Sequence, residues 1–147
     1  MRLTKYSDYS LRTLIYLALA DRRCTIDEVA RSYDIPKNHL IKVVNQLALA
    51  GYVDSSRGKG GGIQLADEPI NINIGDVVRE TEQSFDIVEC FSPGKNKCVL
   101  TPSCKLSSVL SEALNQFMFV LDEYTLEDVL RPKMRVLLSI DKAKALA

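Results

Sequence analysis

The chain has 147 residues, of which 46% are hydrophobic and 26% charged, with 19 Lys/Arg balancing 19 Asp/Glu. This is the composition of an ordinary soluble globular protein with one compact domain or one domain plus an appendage, and no apolar run approaches the ~20 residues that a membrane span needs. The neutral total hides a split: residues 1–66 carry 10 Lys/Arg against 6 Asp/Glu (net +4), whereas residues 67–147 carry 9 against 13 (net −4), so only the N-terminal part attracts a phosphate backbone.

The opening MRLTKYSDYS lacks the apolar stretch of a secretory signal, which makes the cytoplasm the expected location. From Tyr6 to Ala20, Leu11, Leu14, Ile15, Leu17 and Ala18 recur at helical spacing, with Ser7 or Asp8 expected to cap the helix or charge its start. Thr25-Ile26-Asp27-Glu28 reads as a capping box opening a short helix to about Tyr33. Asp34-Ile35-Pro36 breaks that helix. Pro36 suits the first turn of a third helix running to Ala50, and Gly51 stands where a C-terminal glycine belongs. Two short helices joined by a tight turn, the second polar on one side, read as a helix-turn-helix.

In GYVDSSRGKGGGIQL, Tyr52-Val53 and Ile63-Gln64-Leu65 are strand-like and flank a basic, glycine-rich tip. Placed directly after a helix-turn-helix, this is the wing of a winged helix. Asn38, His39 and Lys42 fall on the early polar side of the third helix, where base edges and phosphates are met. Lys37, with Arg57 or Lys59 of the wing, is expected to hold phosphates or reach a minor groove. Two such units in a dimer imply a palindromic double-stranded operator with half-sites about one helical turn apart.

Residues 67–74 read as an extended connector, and Gly75 to Glu82 as a short helix. A long helix starts at about Ser103, with an apolar stripe of Leu106, Leu110, Ala113, Phe117, Leu121 and Tyr124, widened by Val109, Leu114, Met118 and Val120. The rest of the chain offers little core to cover that stripe, so it reads as a homodimer seam, with packing inside one chain as the alternative. Thr125 to Leu130 adds a turn or two, Pro132 is expected to end it, and the Lys/Ala-rich tail to be loosely held. The fold class expected is mainly α with a small β wing: a winged helix-turn-helix plus a long dimerisation helix. Its parts are a DNA-binding domain over 1–66, a connector, short helix and cysteine loop over 67–103, a dimerisation region over 104–131, and a tail over 132–147.

Three of the four cysteines, Cys90, Cys98 and Cys104, lie in CFSPGKNKCVLTPSC. A reducing cytoplasm disfavours a structural disulfide there. Zinc sites usually present cysteines two residues apart with a fourth Cys or His nearby, and the one histidine, His39, sits in the third helix. Three thiols at Cys-x7-Cys-x5-Cys spacing suit an iron–sulfur cluster better, with one iron left for a different donor. Cys24 reads as a small apolar side chain. Two other classes remain: a small iron–sulfur electron carrier and a zinc-stabilised DNA-binding protein. The sequence offers no acid/base or substrate constellation for a catalyst.

LTKYSDYSLRTLIYLA, IPKNHLIKVVNQLALAGYV, RGKGGGIQL, IGDVVRETE, CVLTPSCKL and YTLEDVL together resemble the nitric-oxide-sensing branch of the Rrf2 family of winged-helix regulators, over residues 1 to about 131. The resemblance implies a homodimeric transcription repressor carrying a 4Fe–4S cluster (2Fe–2S being the alternative). Its ligands are Cys90, Cys98, Cys104 and Asp8 of the partner subunit. Nitrosylation of the cluster is then expected to lower operator affinity and derepress nitric-oxide-detoxifying genes. The first cysteine gap is two residues longer than that branch usually shows, around Pro93-Gly94-Lys95. Redox or iron–sulfur-status sensing by the same family is the alternative. Relatives that repress iron–sulfur assembly use a His shortly after the third cysteine, where this chain has Lys105-Leu106-Ser107-Ser108. Those that control cysteine metabolism lack the three cysteines.

Overall fold

Helix α1 (Lys5–Ala20) starts at a cap one step earlier than expected. The Thr4 hydroxyl accepts from Ser7 N at 3.2 Å, so the cap is Thr4 and not Ser7 or Asp8. Ser7 is fully buried in the first turn, while Asp8 supplies its negative charge. The computed structural model describes residues 2–58, 60–92 and 94–140. Helix α2 (Ile26–Tyr33) opens on the predicted capping box: Glu28 N donates to Thr25 Oγ1 at 3.1 Å and Thr25 N donates to Glu28 Oε2 at 2.6 Å. Asp34 ends it in the left-handed region (φ 52°), and Ile35, buried beyond it, donates its N–H to Ala30 O at 2.9 Å. Helix α3 (Lys37–Leu49) follows Pro36 directly.

The wing is an antiparallel pair, β1 (Val53–Ser56) and β2 (Gly62–Leu65), with Val53 opposite Leu65 and Ser56 opposite Gly62. The β2 strand is also bridged to the chain before α2, since Cys24 N donates to Ile63 O at 2.8 Å and Ile63 N to Cys24 O at 2.7 Å. Gly62 makes that approach possible: a Cβ there would lie 2.5 Å from Cys24 O, and its φ is +152°. The strand ends next to the tip are held as well, by Arg23 donating to Ser56 Oγ (2.8 Å) and Gly62 O (3.1 Å).

The connector is not fully extended, because Pro69–Asn71 forms a 3-10 turn. Helix α4 (Ile74–Thr81) is capped by Asn73 and packs against α1. The chain then passes through short 3-10 turns at Glu89–Phe91 and Thr101–Ser103 before helix α5 (Lys105–Asp122). Helix α6 (Leu126–Val129) has its own capping box from Thr125 and Asp128. Pro132 does not end the helical region; it opens helix α7 (Pro132–Leu137), where a missing N–H costs nothing. Nor are residues 132–140 loose. Ile140 is buried, Ser32 Oγ donates to Leu138 O at 3.3 Å, and Arg135 donates to Leu19 O. The tail beyond Ile140 lies outside the described residues.

The core lies between α1, α2, α3 and the wing, where Leu14, Leu17, Val29, Leu40, Val43, Val44, Leu47 and Ile63 are shut from solvent, and it extends to Val77 of α4 and Leu126 of α6. Helix α5 is different: it has no fully buried residue. The expected stripe splits into two faces. Leu110, Leu114, Phe117, Met118 and Leu121 are half-buried on the side turned to the rest of the chain. Leu106, Val109 and Val120, followed by Tyr124 just past the helix end, stay about half exposed or more.

Removing the buried side chain of α6 tests whether this segment belongs to the core. Leu126→Ala is expected to cost about 2–5 kcal/mol, the range for a fully enclosed leucine, read as a lower urea midpoint with unchanged slope. A loss below about 0.5 kcal/mol would mean that α6 is peripheral.

Candidate functional site

The exposed side of α3 follows from its burial pattern. Leu40, Val43, Val44 and Leu47 face the core, so Asn38, Ile41, Lys42, Asn45 and Leu49 emerge on the opposite face at three- and four-residue steps. Asn38, His39 and Lys42 are all exposed, as expected from the sequence. Asn45 and the exposed apolar pair Ile41 and Leu49 were not singled out from the sequence, although the helical period alone puts them on the same face. Asn45 has the side-chain amide that pairs with adenine, and Ile41 an apolar surface for a thymine methyl. No side chain caps α3, so its first N–H groups face outward. Lys37, beside them, is exposed and within 3.4 Å of Asp27. Such an exposed pair is weak, and a phosphate can compete for the lysine.

The N-terminal half of α1 touches this face. Tyr6 OH donates to the backbone O of Lys42 at 3.3 Å, and the Tyr9 and His39 rings lie 6.5 Å apart. Arg57 is exposed where the wing turns, followed by Gly58 (φ +94°) and, past the tip, Gly60 (φ +82°). Lys59 lies outside the described residues.

The cysteines occupy the irregular stretch before α5. Cys104 is the residue preceding the helix, and no side chain caps its first turn. Cys90 lies in the 3-10 turn with its thiol 3.6 Å from Ser107 Oγ, in the same first turn of α5. Both thiols therefore stand near the start of an 18-residue helix. Cys98 is exposed, and its N–H donates to Asn96 Oδ1 at 2.9 Å. Around the longer gap the chain folds back, with Lys95 N donating to Ser92 O at 3.2 Å and Gly94 at φ +84°; Pro93 lies outside the described residues. All four cysteines are free thiols. Among the described residues no three His, Cys, Asp or Glu side chains converge within this one chain. Asp8 is paired with Arg12 at 2.9 Å, and Arg12 in turn lies over the Tyr33 ring, 5.8 Å from its centre.

Cys24 has the opposite environment. It is buried at 1% exposure, and burial pushes its thiol up to about 11, partly offset by Arg22 nearby. A small apolar side chain is what the wing junction requires of it.

These features define a winged-helix DNA-binding protein: a three-helix core, a helix whose exposed face is polar, and a basic two-stranded wing. The chain belongs to the Rrf2 family of iron-dependent transcriptional regulators, whose profile matches residues 3–132. It is 53% identical over 136 residues to the HTH-type transcriptional regulator NsrR of Bacillus subtilis (strain 168), covering 90% of this chain and 92% of that one. Among solved structures, CymR, the global cysteine regulator of B. subtilis, matches with a TM-score of 0.66 at 27% identity, covering 88% of this chain and 95% of that one. T. potens IscR matches in fold, with a TM-score of 0.68 at 24% identity, covering 98% and 91%. The protein is thus a transcriptional regulator, and no described helix is long and apolar enough to cross a membrane.

Two outcomes follow for this site. Lys42→Ala is expected to lower the slope of log affinity against log salt by about one unit, while Asn45→Ala removes about 1–3 kcal/mol of base discrimination with the slope unchanged. Gel shifts at several salt concentrations with matched and mutated operators separate the two. Alkylating the metal-free native protein at neutral pH should label Cys90, Cys98 and Cys104 and spare Cys24, because a buried thiol held near 11 offers almost no thiolate; mass spectrometry of the digest shows which were modified.

Proposed function

We propose that the protein is a homodimeric transcription repressor that binds palindromic operator DNA and releases it in response to nitric oxide, through an iron–sulfur cluster of the 4Fe–4S type. Cys90, Cys98, Cys104 and Asp8 of the partner subunit would hold that cluster. Residues 1–66 read the operator, 67–103 carry the cysteine loop, and 104–131 make the dimer contact. The observation that carries this reading is the placement of three free thiols on one irregular segment, leading into a helix with an open apolar face.

The donor set fits such a group. Thiolates are the ordinary ligands of iron–sulfur iron, and two of these three lie close together at the start of α5. Short turns leave room for the segment to gather its thiols, as a strand or long helix would not. The open face of Leu106, Val109 and Val120 is the surface a second copy of α5 would cover, and the proposed ligand set requires that pairing to bring one subunit's first helix to the other's cysteines. When bound, the cluster supplies iron that nitric oxide attacks. The protein's own part is to transmit the loss. Asp8 lies on α1 between Tyr6 and Tyr9, which touch Lys42 and His39 of α3, so whatever holds Asp8 also steadies the helix facing DNA. DNA binding needs both half-sites at once, and a small shift of one winged helix against the other costs much of the specific affinity. The requirement is only that the loaded form binds the operator more tightly than the unloaded form.

Protein purified without oxygen is expected to be brown, with iron and sulfide in equal amounts. Replacing any of Cys90, Cys98 or Cys104 by Ala should abolish the colour, Cys24→Ala should keep it, and Asp8→Ala should weaken or alter it. In an anaerobic gel shift, nitric oxide should release the operator as the absorbance disappears. A complex that survives complete loss of absorbance rules out the cluster as the switch. Release by peroxide or iron depletion, but not by nitric oxide, assigns the protein to redox or iron sensing instead.

A further inference from the structure

The cysteine segment begins at Glu82, the residue that closes α4, and Glu82 makes an unusual long-range contact. Its Oε1 accepts from Thr4 N at 2.7 Å and from Thr4 Oγ1 at 3.1 Å, across 78 residues of sequence. Thr4 is the cap of α1, and its hydroxyl also accepts from Ser7 N at 3.2 Å. One carboxylate thus grips the capping residue of the helix that carries Asp8 one turn later.

Beside the packing of α1 on α4, little else holds the N-terminal arm to the start of the cysteine segment. Leu3, Phe85, Ile87, Leu114 and Phe117 surround a cavity of about 460 Å³ between the N-terminal arm, the start of the cysteine segment and α5, with Glu82 on its rim. Apolar packing across that space is incomplete, so the arm's position depends on the polar contact. The same short helix is fastened elsewhere: Arg79 pairs with Asp122 of α5 through two contacts of 2.6 Å, and Glu80 accepts from Gln46 of α3 at 3.4 Å. Its Glu82 end thus serves α1 and the cysteine segment.

We propose that Glu82 is a positioning residue for cluster binding: it holds the first turn of α1, and with it the Asp8 that this subunit would offer to the cluster of its partner, at a fixed place on its own subunit. The inference rests on the ligand set proposed above. Glu82 touches no ligand directly. It acts through Thr4, as an outer partner that orients a ligand-bearing element.

The test compares full-length wild type, Glu82→Ala and Glu82→Gln, each prepared anaerobically and also in metal-free form. In metal-free Glu82→Ala, amide hydrogen exchange at Ser7 and Asp8 should speed up, because their helix start has lost its anchor. With iron bound, the same variant should show a changed visible circular dichroism spectrum and give up its iron to a chelator roughly tenfold more readily, the low end of what loss of an outer partner costs in metal affinity. Glu82→Gln should restore both readouts, since its amide oxygen can still accept from Thr4. If Glu82→Ala only lowers the melting temperature and leaves the exchange at Ser7 and Asp8 and the cluster readouts at wild-type values, the positioning role is overturned while the cluster reading stands. Wild type that binds no iron overturns both.

Discussion

Two backbone hydrogen bonds determine where the cysteine-bearing half of the chain sits. Ile74 N donates to Tyr124 O at 2.9 Å and Leu126 N donates to Ile72 O at 2.8 Å, closing a one-residue antiparallel bridge between Asn73 and Thr125. The crossing joins the entrance of α4 to the exit of α5, about 50 residues apart in sequence. Asn73 adds a side-chain bond to Asp122 O at 2.8 Å. Gly75 then lets the Asp122 carboxylate lie against α4 and reach Arg79, where a Cβ would fall 1.9 Å from Asp122 Oδ1. The Arg79–Asp122 pair is exposed and modest in energy; its geometry sets the direction of α5 more than it sets stability.

From that fixed point α5 projects with only one side covered. A helix with Leu106, Val109 and Val120 in solvent is costly to leave alone, and the burial of Leu110, Leu114, Phe117 and Leu121 against the rest of the chain does not remove that cost. The DNA-binding part shows the reverse economy. Its core is closed, the starts of α1 and α2 are capped, and its exposed residues are mostly polar. Stability and recognition are therefore separable in residues 1–66: Leu40, Val43 and Leu47 hold α3, while Asn38, Lys42 and Asn45 are free to meet another molecule.

The cysteine segment has neither kind of support. It is made of 3-10 turns and single hydrogen bonds, and Val99 and Leu100 are exposed within it. Such a segment keeps a low local stability. Its connection to α3 runs through helices that are rigid by comparison, with α4 touching α1 and α5, and α1 touching α3.

Much of this was legible in the chain itself. The capping box at Thr25, the break at Pro36, the glycine after α3 and the glycine-rich wing are local signals, set by residues whose backbone preferences and short-range hydrogen bonds decide the outcome without help from afar. The charge split and the cysteine spacing are likewise properties of the linear order. Tertiary structure decided what local preference leaves open. Thr4 caps α1 through Ser7 N, and its own N–H and hydroxyl are held by Glu82 from a distant part of the chain. Pro132 starts a helix and not an end, because a surface formed by α1 and α2 receives Leu138 and Ile140. The stripe on α5 divides between two faces because the rest of the chain covers only one of them. Periodicity names the apolar residues of a helix, but which of them are buried depends on where its neighbours stand, and that is settled by contacts between residues far apart in the chain.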